Sequence, residues 1–334
     1  MSKRKCVQES LMHKKTEYTP YNTELTGELQ ARLEGELGLG EGSFFSWAGN
    51  HIEKCSFEKG EFIEPEIYKD EYGVVWDRSG VDKDIGIIHD YAFEKPDISL
   101  YEFPKVDKKE ISKKCEKFFE DDRDTYKFAK IGTTLFERAW SLRGFQSLLM
   151  DFLLEEDFAQ ELFERIVDRH IEVLNIALEY DFDGVYFGDD YGQQSGMLMS
   201  PEIWRKFLKP QLKVLFDKAK TKGKAVCLHS CGDISKVLPD LIEIGLDIYQ
   251  TVQPEIYDLR KLKGDFGDDL SFFGAISTQR DLPFKKPHEI KRIVNETMGM
   301  LGESGGYIAA PTHKITGDTP VENVVALVEA FKEQ

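Results

Sequence analysis

His229 and Cys231 stand two residues apart in Cys227-Leu228-His229-Ser230-Cys231-Gly232, straight after a short apolar run. An imidazole and a thiol at that spacing reach a common point, and both are ligand types that zinc prefers. A metal site needs a third protein ligand. The chain has seven histidines. Of the others, His13, His51, His89, His170 and His288 fall near the N-terminus, in expected loops or on expected helices. His313 lies three residues beyond an apolar run, Gly306 to Ala310, and so comes to the same end of the fold as His229 and Cys231. A His, Cys, His set with its fourth position open is the catalytic kind of zinc site rather than the closed structural kind. If His313 is not the third ligand, Asp189, Asp190 and Gln250 are next in line. Cys227 shares the face of His229 one layer deeper and is expected in the core. Cys6, Cys55 and Cys115 carry no evident chemistry.

Other polar residues follow apolar runs in the same way: Asp189-Asp190-Tyr191, then Gln250 and Gln253, then Ser277. Tandem acids at a strand end suit metal binding, proton transfer or orientation of a substrate, so Asp189 and Asp190 are the catalytic candidates. Tyr191, Gln193, Gln250 and Gln253 are the candidates to line a substrate pocket. No phosphate-binding glycine fingerprint and no Gly-x-Ser-x-Gly nucleophile elbow occurs.

The elements that must position these residues read as repeated strand–helix units. Strands are predicted at Asp183–Gly188, Ala225–His229, Asp247–Val252, Leu270–Ile276 and Gly306–Ala310, each followed by a helical pattern. Ser200-Pro201 opens one helix as N-cap and first-turn proline, and Pro287 and Pro320 open two others. Short strands that are apolar throughout are buried on both faces, which means a parallel sheet covered by helices. Five in series fit the second part of a (β/α)8 barrel, where chemistry sits at the strand C-termini. Tyr18–Asn22, Phe44–Trp47 and Lys130–Leu135 are expected to supply the other three strands. The polar stretch from His51 to Lys127 is expected to be an N-terminal excursion with edge strands near Gly73 to Trp76. With no linker, low-complexity segment or repeat, residues 1–334 are expected to form one TIM-barrel domain.

Composition narrows the partners. A chain of 334 residues with 41% hydrophobic and 31% charged residues is long enough for a large core. A net charge of −17 argues against nucleic acid and anionic membranes as partners. No apolar run approaches the roughly 20 residues of a membrane span. The basic Met1–Lys5 is not followed by an apolar signal region, and the five cysteines are irregularly spaced, so a cytoplasmic protein with reduced thiols is expected.

Several segments together resemble the uroporphyrinogen decarboxylase superfamily. These are Thr134-Leu135-Phe136-Glu137-Arg138-Ala139-Trp140 with Arg143-Gly144, then Phe187-Gly188-Asp189-Asp190-Tyr191-Gly192 and Ser200-Pro201-Glu202-Ile203-Trp204. His229-Ser230-Cys231-Gly232 and Gly305 to His313 complete the set. They are most similar to its methyltransferase-like branch, which includes the methylcobamide:coenzyme M methyltransferases. The resemblance implies a TIM barrel and a zinc-dependent transfer of a methyl group between a small methylated substrate and a corrinoid (cobalamin), carried by a corrinoid protein. In the coenzyme M enzymes the His-x-Cys pair and a later Cys hold zinc. Here His313 stands at the later position, which leaves a thiol, a methoxylated aromatic or a methylamine as the substrate. The decarboxylase itself is the alternative enzyme. It uses no metal and clamps a polycarboxylate with arginines on its first strand, whereas Tyr18-Thr19-Pro20-Tyr21-Asn22 has none. A non-catalytic corrinoid- or tetrapyrrole-binding protein on the same scaffold is the third reading.

Overall fold

The computed structural model describes residues 1–80 and 86–334. Strand β1 (Ile52–Ser56) is followed by four strands of a separate antiparallel sheet, β2 (Gly60–Glu64), β3 (Ile67–Asp70), β4 (Val75–Asp77) and β5 (Ile87–Asp90). Next come β6 (Tyr126–Ile131), β7 (Gly184–Gly188) and a small hairpin, β8 (Gly192–Gln193) and β9 (Gly196–Met197). The chain ends with β10 (Ala225–His229), β11 (Ile248–Thr251), β12 (Ser271–Ile276) and β13 (Tyr307–Pro311). The main sheet has seven strands, all parallel, in the order β1-β6-β7-β10-β11-β12-β13.

Two apolar layers show how that sheet is used. Val226 and Leu228 of β10 join the large cluster shared with the helices, and so do Val185 and Phe187 of β7. Their neighbours Cys227 and Tyr186 point the other way. They meet Ile52, Tyr126, Phe128, Ile248, Phe273 and Ile308, one or two residues from every strand of the sheet, in a second cluster. Side chains from strands at opposite edges touch only if the sheet curls round on itself. Val7, from the helix Lys3–Leu11, is part of this inner cluster. That helix is tied to the strand N-termini: Arg4 pairs with Asp183 at 2.8 Å, and the Ser10 hydroxyl donates to the Tyr307 carbonyl at 2.8 Å. Between the sheet's two edges runs the extended segment near Tyr21. Asn22 N–H donates to the Ala309 carbonyl, and His51 N–H to the Tyr21 carbonyl.

The five later strands lie within one or two residues of their predicted bounds. Earlier, the expectations need correction. Phe44–Trp47 is not a strand but part of the helix Phe44–Ala48, closed by Gly49 at φ 77°. Four apolar or small residues carry no period long enough to separate helix from strand. The strand lies just after it, in Ile52–Ser56, where Glu53 and Lys54 broke the apolar pattern. The strand expected at Lys130–Leu135 is Tyr126–Ile131, and residues 132–135 form the turn into the helix Phe136–Arg143. Tyr18–Asn22 contributes one parallel bridge, Tyr21 to Ala309, rather than a full strand. The polar stretch holds β1 and the start of β6 as well as the antiparallel sheet, so it is only partly an excursion. Buried ion pairs fasten that antiparallel sheet to the helices behind it: Asp70–Arg138 at 2.6 Å and Glu71–Arg169 at 2.6 Å, with the Tyr72 ring between the two guanidiniums.

Candidate functional site

Gly188, His229 and Gln250 are aligned across β7, β10 and β11, in the last row before the strands end. His229 faces a cavity of about 490 Å³ at this end of the sheet, as do Asp190, Gln250 and His313. The His229 Nδ1 meets the Gln250 side-chain oxygen, which also accepts a hydrogen bond from the Tyr186 hydroxyl at 2.9 Å. An amide oxygen only accepts, so Nδ1 carries the proton and Nε2 keeps its lone pair. That lone pair lies 3.6 Å from Cys231 Sγ and 3.5 Å from Asp190 Oδ1. Donor atoms of these three residues all lie within 4.8 Å of one another. Tetrahedral zinc, with bonds of about 2.0–2.3 Å, sets its ligand atoms roughly 3.3–3.7 Å apart. The spacing, the donor types and the outer hydrogen bond from Gln250 all fit such an ion.

Two loops hold the triangle. The Cys231 N–H donates to Asp190 Oδ1 at 2.7 Å, and the Gly232 N–H to Gln253 Oε1 at 2.7 Å. Gly232, at φ 80°, crosses Gly192 so closely that a Cβ there would lie 2.1 Å from the Gly192 carbonyl carbon. Only glycine lets the loops after β7 and β10 touch. Burial pushes the Cys231 thiol up, and Asp190 adds to the shift. Burial pushes the His229 imidazole down. Both shifts favour uncharged side chains, and a divalent cation reverses the preference at the thiol.

The paired aspartates part company. Asp190 turns to His229 and Cys231. Asp189 is fully buried and caps the helix Phe136–Arg143 from outside: its oxygens accept from Phe136 N–H at 2.9 Å, Glu137 N–H at 2.7 Å and the Tyr191 hydroxyl at 2.7 Å. Burial first, and the charge of Asp190, push the Asp189 carboxyl up to about 7. Tyr191 is spent on this contact and packs its ring against Trp204. Gln193 is exposed in the β8–β9 hairpin, where its carbonyl accepts from Asp233 N–H. Gln253 is buried behind the Cys231–Gly232 turn. His313 is exposed at the rim, its ring centre 5.8 Å from that of His229, and stands outside the triangle. Ser277 is buried and donates to Glu255.

Several cavity residues were not among the site candidates of the sequence reading. Glu137, beside Asp190, is held well above the usual carboxylate range by burial and by the charges of Asp190 and Asp189. Across the mouth, Lys54 on β1 pairs with Glu24 and sits 4.4 Å over the Tyr186 ring. Burial raises the Glu24 carboxyl, but Lys54, Lys130 and Lys314 outweigh it and hold the group at about 2. Arg78 and Trp76, from the antiparallel sheet, form the outer wall. The alternation Ile52–Lys54 and Phe128–Lys130 was the signal that both lysines point inward at the mouth.

The chain is 30% identical over 178 residues to the methylcobamide:CoM methyltransferase MtaA of Methanosarcina barkeri, covering 52% of this chain and 49% of that protein. It is 29% identical over 139 residues to a methylated-thiol–coenzyme M methyltransferase of Methanosarcina mazei, covering 42% of this chain and 35% of that protein. The matches thus span about half the length of these curated relatives or less. In fold, a methyltransferase from Methanosarcina mazei superimposes with a TM-score of 0.74 at 18% identity, over 100% of this chain and 99% of that one. Among the described residues, no helix is long and apolar enough to cross a membrane. Residues 133–334, which carry β7 to β13 and every member of the triangle, match the sequence model of the uroporphyrinogen decarboxylase (URO-D) family, and the chain belongs to that family.

Proposed function

We propose that this protein is a zinc-dependent methyltransferase that moves a methyl group between a small methylated substrate and a corrinoid (cobalamin) carried by a corrinoid protein. The observation that carries the reading is the triangle of Asp190, His229 and Cys231, with ligand separations of 3.5 and 3.6 Å. The named activities of the two curated relatives favour the same chemistry. Asp190 takes the place first expected of His313 as third ligand, and the exchange bears on the substrate. Two anionic ligands and one neutral imidazole leave a divalent ion with no net charge. That equals the charge balance of the His, Cys, Cys set that the resemblance implies for coenzyme M enzymes, and it favours a thiol over an ether or amine.

Zinc, when bound, supplies a Lewis acid that favours the deprotonated form of a substrate thiol. The chain does the rest. Gln250 fixes the His229 tautomer, the Gly192–Gly232 crossing holds Cys231 against Asp190, and the cavity of about 490 Å³ admits a small substrate. Glu137, a carboxyl group at the cavity wall beside Asp190, would accept as its carboxylate the proton that the substrate thiol releases. The thiol sulfur would take the methyl group that the corrinoid supplies, its proton passing to the Glu137 carboxylate and the methyl–cobalt bonding pair remaining with the corrinoid. A corrinoid protein would dock at the open mouth of the cavity, which Trp76 and Arg78 also line. Asp189, Tyr191 and Gln253 act in this reading as positioning residues. Residues 1–334 act as one domain, with the Tyr21 segment as the eighth stave of a closed (β/α)8 barrel, in the cytoplasm.

The test is metal analysis of the purified protein, paired with methyl transfer from methylcobalamin to a panel of thiols. One zinc per chain and chelator-sensitive transfer are expected. Decarboxylation of uroporphyrinogen by the chelated protein would overturn the proposal in favour of the metal-free enzyme.

A further inference from the structure

Two cysteines outside the candidate site meet each other. The chain has five. Cys231 belongs to the triangle, Cys227 lies in the inner cluster, and Cys6 turns its thiol to the Tyr18 carbonyl at 3.2 Å. Cys55 and Cys115 are placed differently. On β1, Lys54 points into the cavity, so its neighbour Cys55 points outward, toward the helices. There it meets the helix Lys108–Glu120, whose buried residues are Ile111 and Cys115, one turn apart. The Cys55 Sγ lies 4.0 Å from the Lys114 carbonyl oxygen, and the two thiols hydrogen-bond each other. The Lys114 ammonium clamps the contact by donating to the Phe57 and Glu58 carbonyls at 3.2 and 2.9 Å.

The two thiols are not equivalent. The hydrogen bond from Cys115 draws the Cys55 thiol down, against burial and with help from the charge of Lys114. The same bond, together with burial, pushes the Cys115 thiol up. Cys55 therefore loses its proton first, and the thiolate is the nucleophile. Cys55 is 6% exposed and Cys115 fully buried. The helix over them buries only those two of its 13 residues, so it opens more readily than the strands beneath.

We propose that Cys55 and Cys115 are a redox-active dithiol that hydrogen peroxide closes to a disulfide. The Cys55 thiolate attacks one peroxide oxygen. The O–O bond breaks, and the departing hydroxide takes up the proton that Cys55 released, as water. The Cys115 sulfur then attacks the Cys55 sulfur of the resulting sulfenic acid. The S–O bond breaks, and that hydroxide leaves with the Cys115 proton as a second water. The two thiols give up two electrons, and the peroxide takes them. Closing from hydrogen-bond contact to the roughly 2.05 Å of a disulfide needs side-chain rotation and a small shift of the helix. The bridge encloses β2 to β5 in a covalent loop. Tyr68, Trp76 and Arg78 of that stretch line the cavity, so the bond staples the cavity's outer wall to the main sheet. None of this depends on zinc or on methyl transfer.

The test uses the full chain, reduced, freed of reductant, titrated with hydrogen peroxide, quenched by alkylation and mapped by mass spectrometry. One bridge joining the peptides that carry Cys55 and Cys115 is expected, reversed by dithiothreitol. Cys115→Ser should leave Cys55 as a sulfenic acid that dimedone traps, and Cys55→Ser should leave Cys115 unreacted. The bridged protein should melt about 5 °C or more above the reduced one. Absence of the bridge in native wild type, or equal yields of bridges to Cys6 or Cys227, overturns the dithiol. Faster oxidation of Cys115 than of Cys55 overturns the assigned roles, and unchanged melting overturns the staple. The wild-type map stands by itself should either variant fail to fold.

Discussion

The two sides of the cavity mouth are built on opposite principles. On the β7–β10–β11 side, polar groups are satisfied by one another at short range: Gln250 on His229, Asp190 on the Cys231 N–H, Gln253 on the Gly232 N–H. On the β1–β6 side, charge acts at longer range: Lys54 pairs with Glu24, and Lys130 feels the carboxylates of Glu58 and Glu24 without a hydrogen bond to either among the described residues. The first side is held in one geometry by these hydrogen bonds, which suits the metal site proposed for it. The second is shaped by charges that act through space and fix geometry less tightly. The difference is one of range: hydrogen bonds fix the β7–β10–β11 side atom by atom, and ionic fields shape the β1–β6 side.

The largest effect should come from the triangle. His229→Ala and Cys231→Ser should each lose bound zinc and about a thousandfold or more of transfer activity, with the fold kept by circular dichroism. Full zinc retention in both would refute the metal site. The same side offers a sharper contrast: Asp190→Asn should weaken zinc binding, whereas His313→Ala should leave the zinc content unchanged. The reverse result restores His313 as the third ligand.

The outer wall of the β1–β6 side depends on a buried pair. Asp70→Asn strands the Arg138 guanidinium, so chemical denaturation should show a loss of about 3–5 kcal/mol. A loss below about 1 kcal/mol would mean that the antiparallel sheet is not held by this pair.

Stability should also fall in acid for reasons outside the mouth. Burial holds the His51 imidazole down at about 4 and that of His170 at about 3. Both titrate near 6.5 when unfolded, so their contribution is complete above that pH. It is lost as pH falls through 6.5 toward the folded values, by roughly 3 kcal/mol or more for each. Melting curves between pH 7 and pH 4 should show this, and His51→Gln should flatten the slope. An unchanged slope would show that His51 does not charge on unfolding.

The smallest effect concerns tautomer control. Gln250→Leu removes the acceptor that fixes Nδ1–H on His229, and zinc affinity should fall by about 10–100-fold, with Tyr186→Phe milder. Competition against a chromogenic chelator measures both. An unchanged affinity in Gln250→Leu would mean that His229 is oriented by its packing alone.

The later strands were legible because each is a short, wholly apolar run with a proline, serine or glycine boundary. β1 was not, because its inward Lys54 serves the cavity and its Glu53 faces Arg123 and Thr125 at an edge. Phe44–Trp47 misled for the opposite reason: it is apolar enough for a strand but lies in a helix. At the site, residue types at the strand ends named His229, Cys231 and Asp190 as candidates. They did not separate Asp190 from Asp189, adjacent and chemically identical, because which one faces the cavity is set by the N-terminus of a helix more than fifty residues earlier in the chain.

The sequence by itself determined the parallel strand–helix order, the end of the strands where chemistry sits, and the His-x-Cys pair, since these depend on local period and spacing. The tertiary structure alone decided the third member of the triangle, the tautomer of His229 and the lysine side of the mouth. Each of those is a contact between segments distant in sequence, made only when the sheet curls and brings the strand ends together over one cavity.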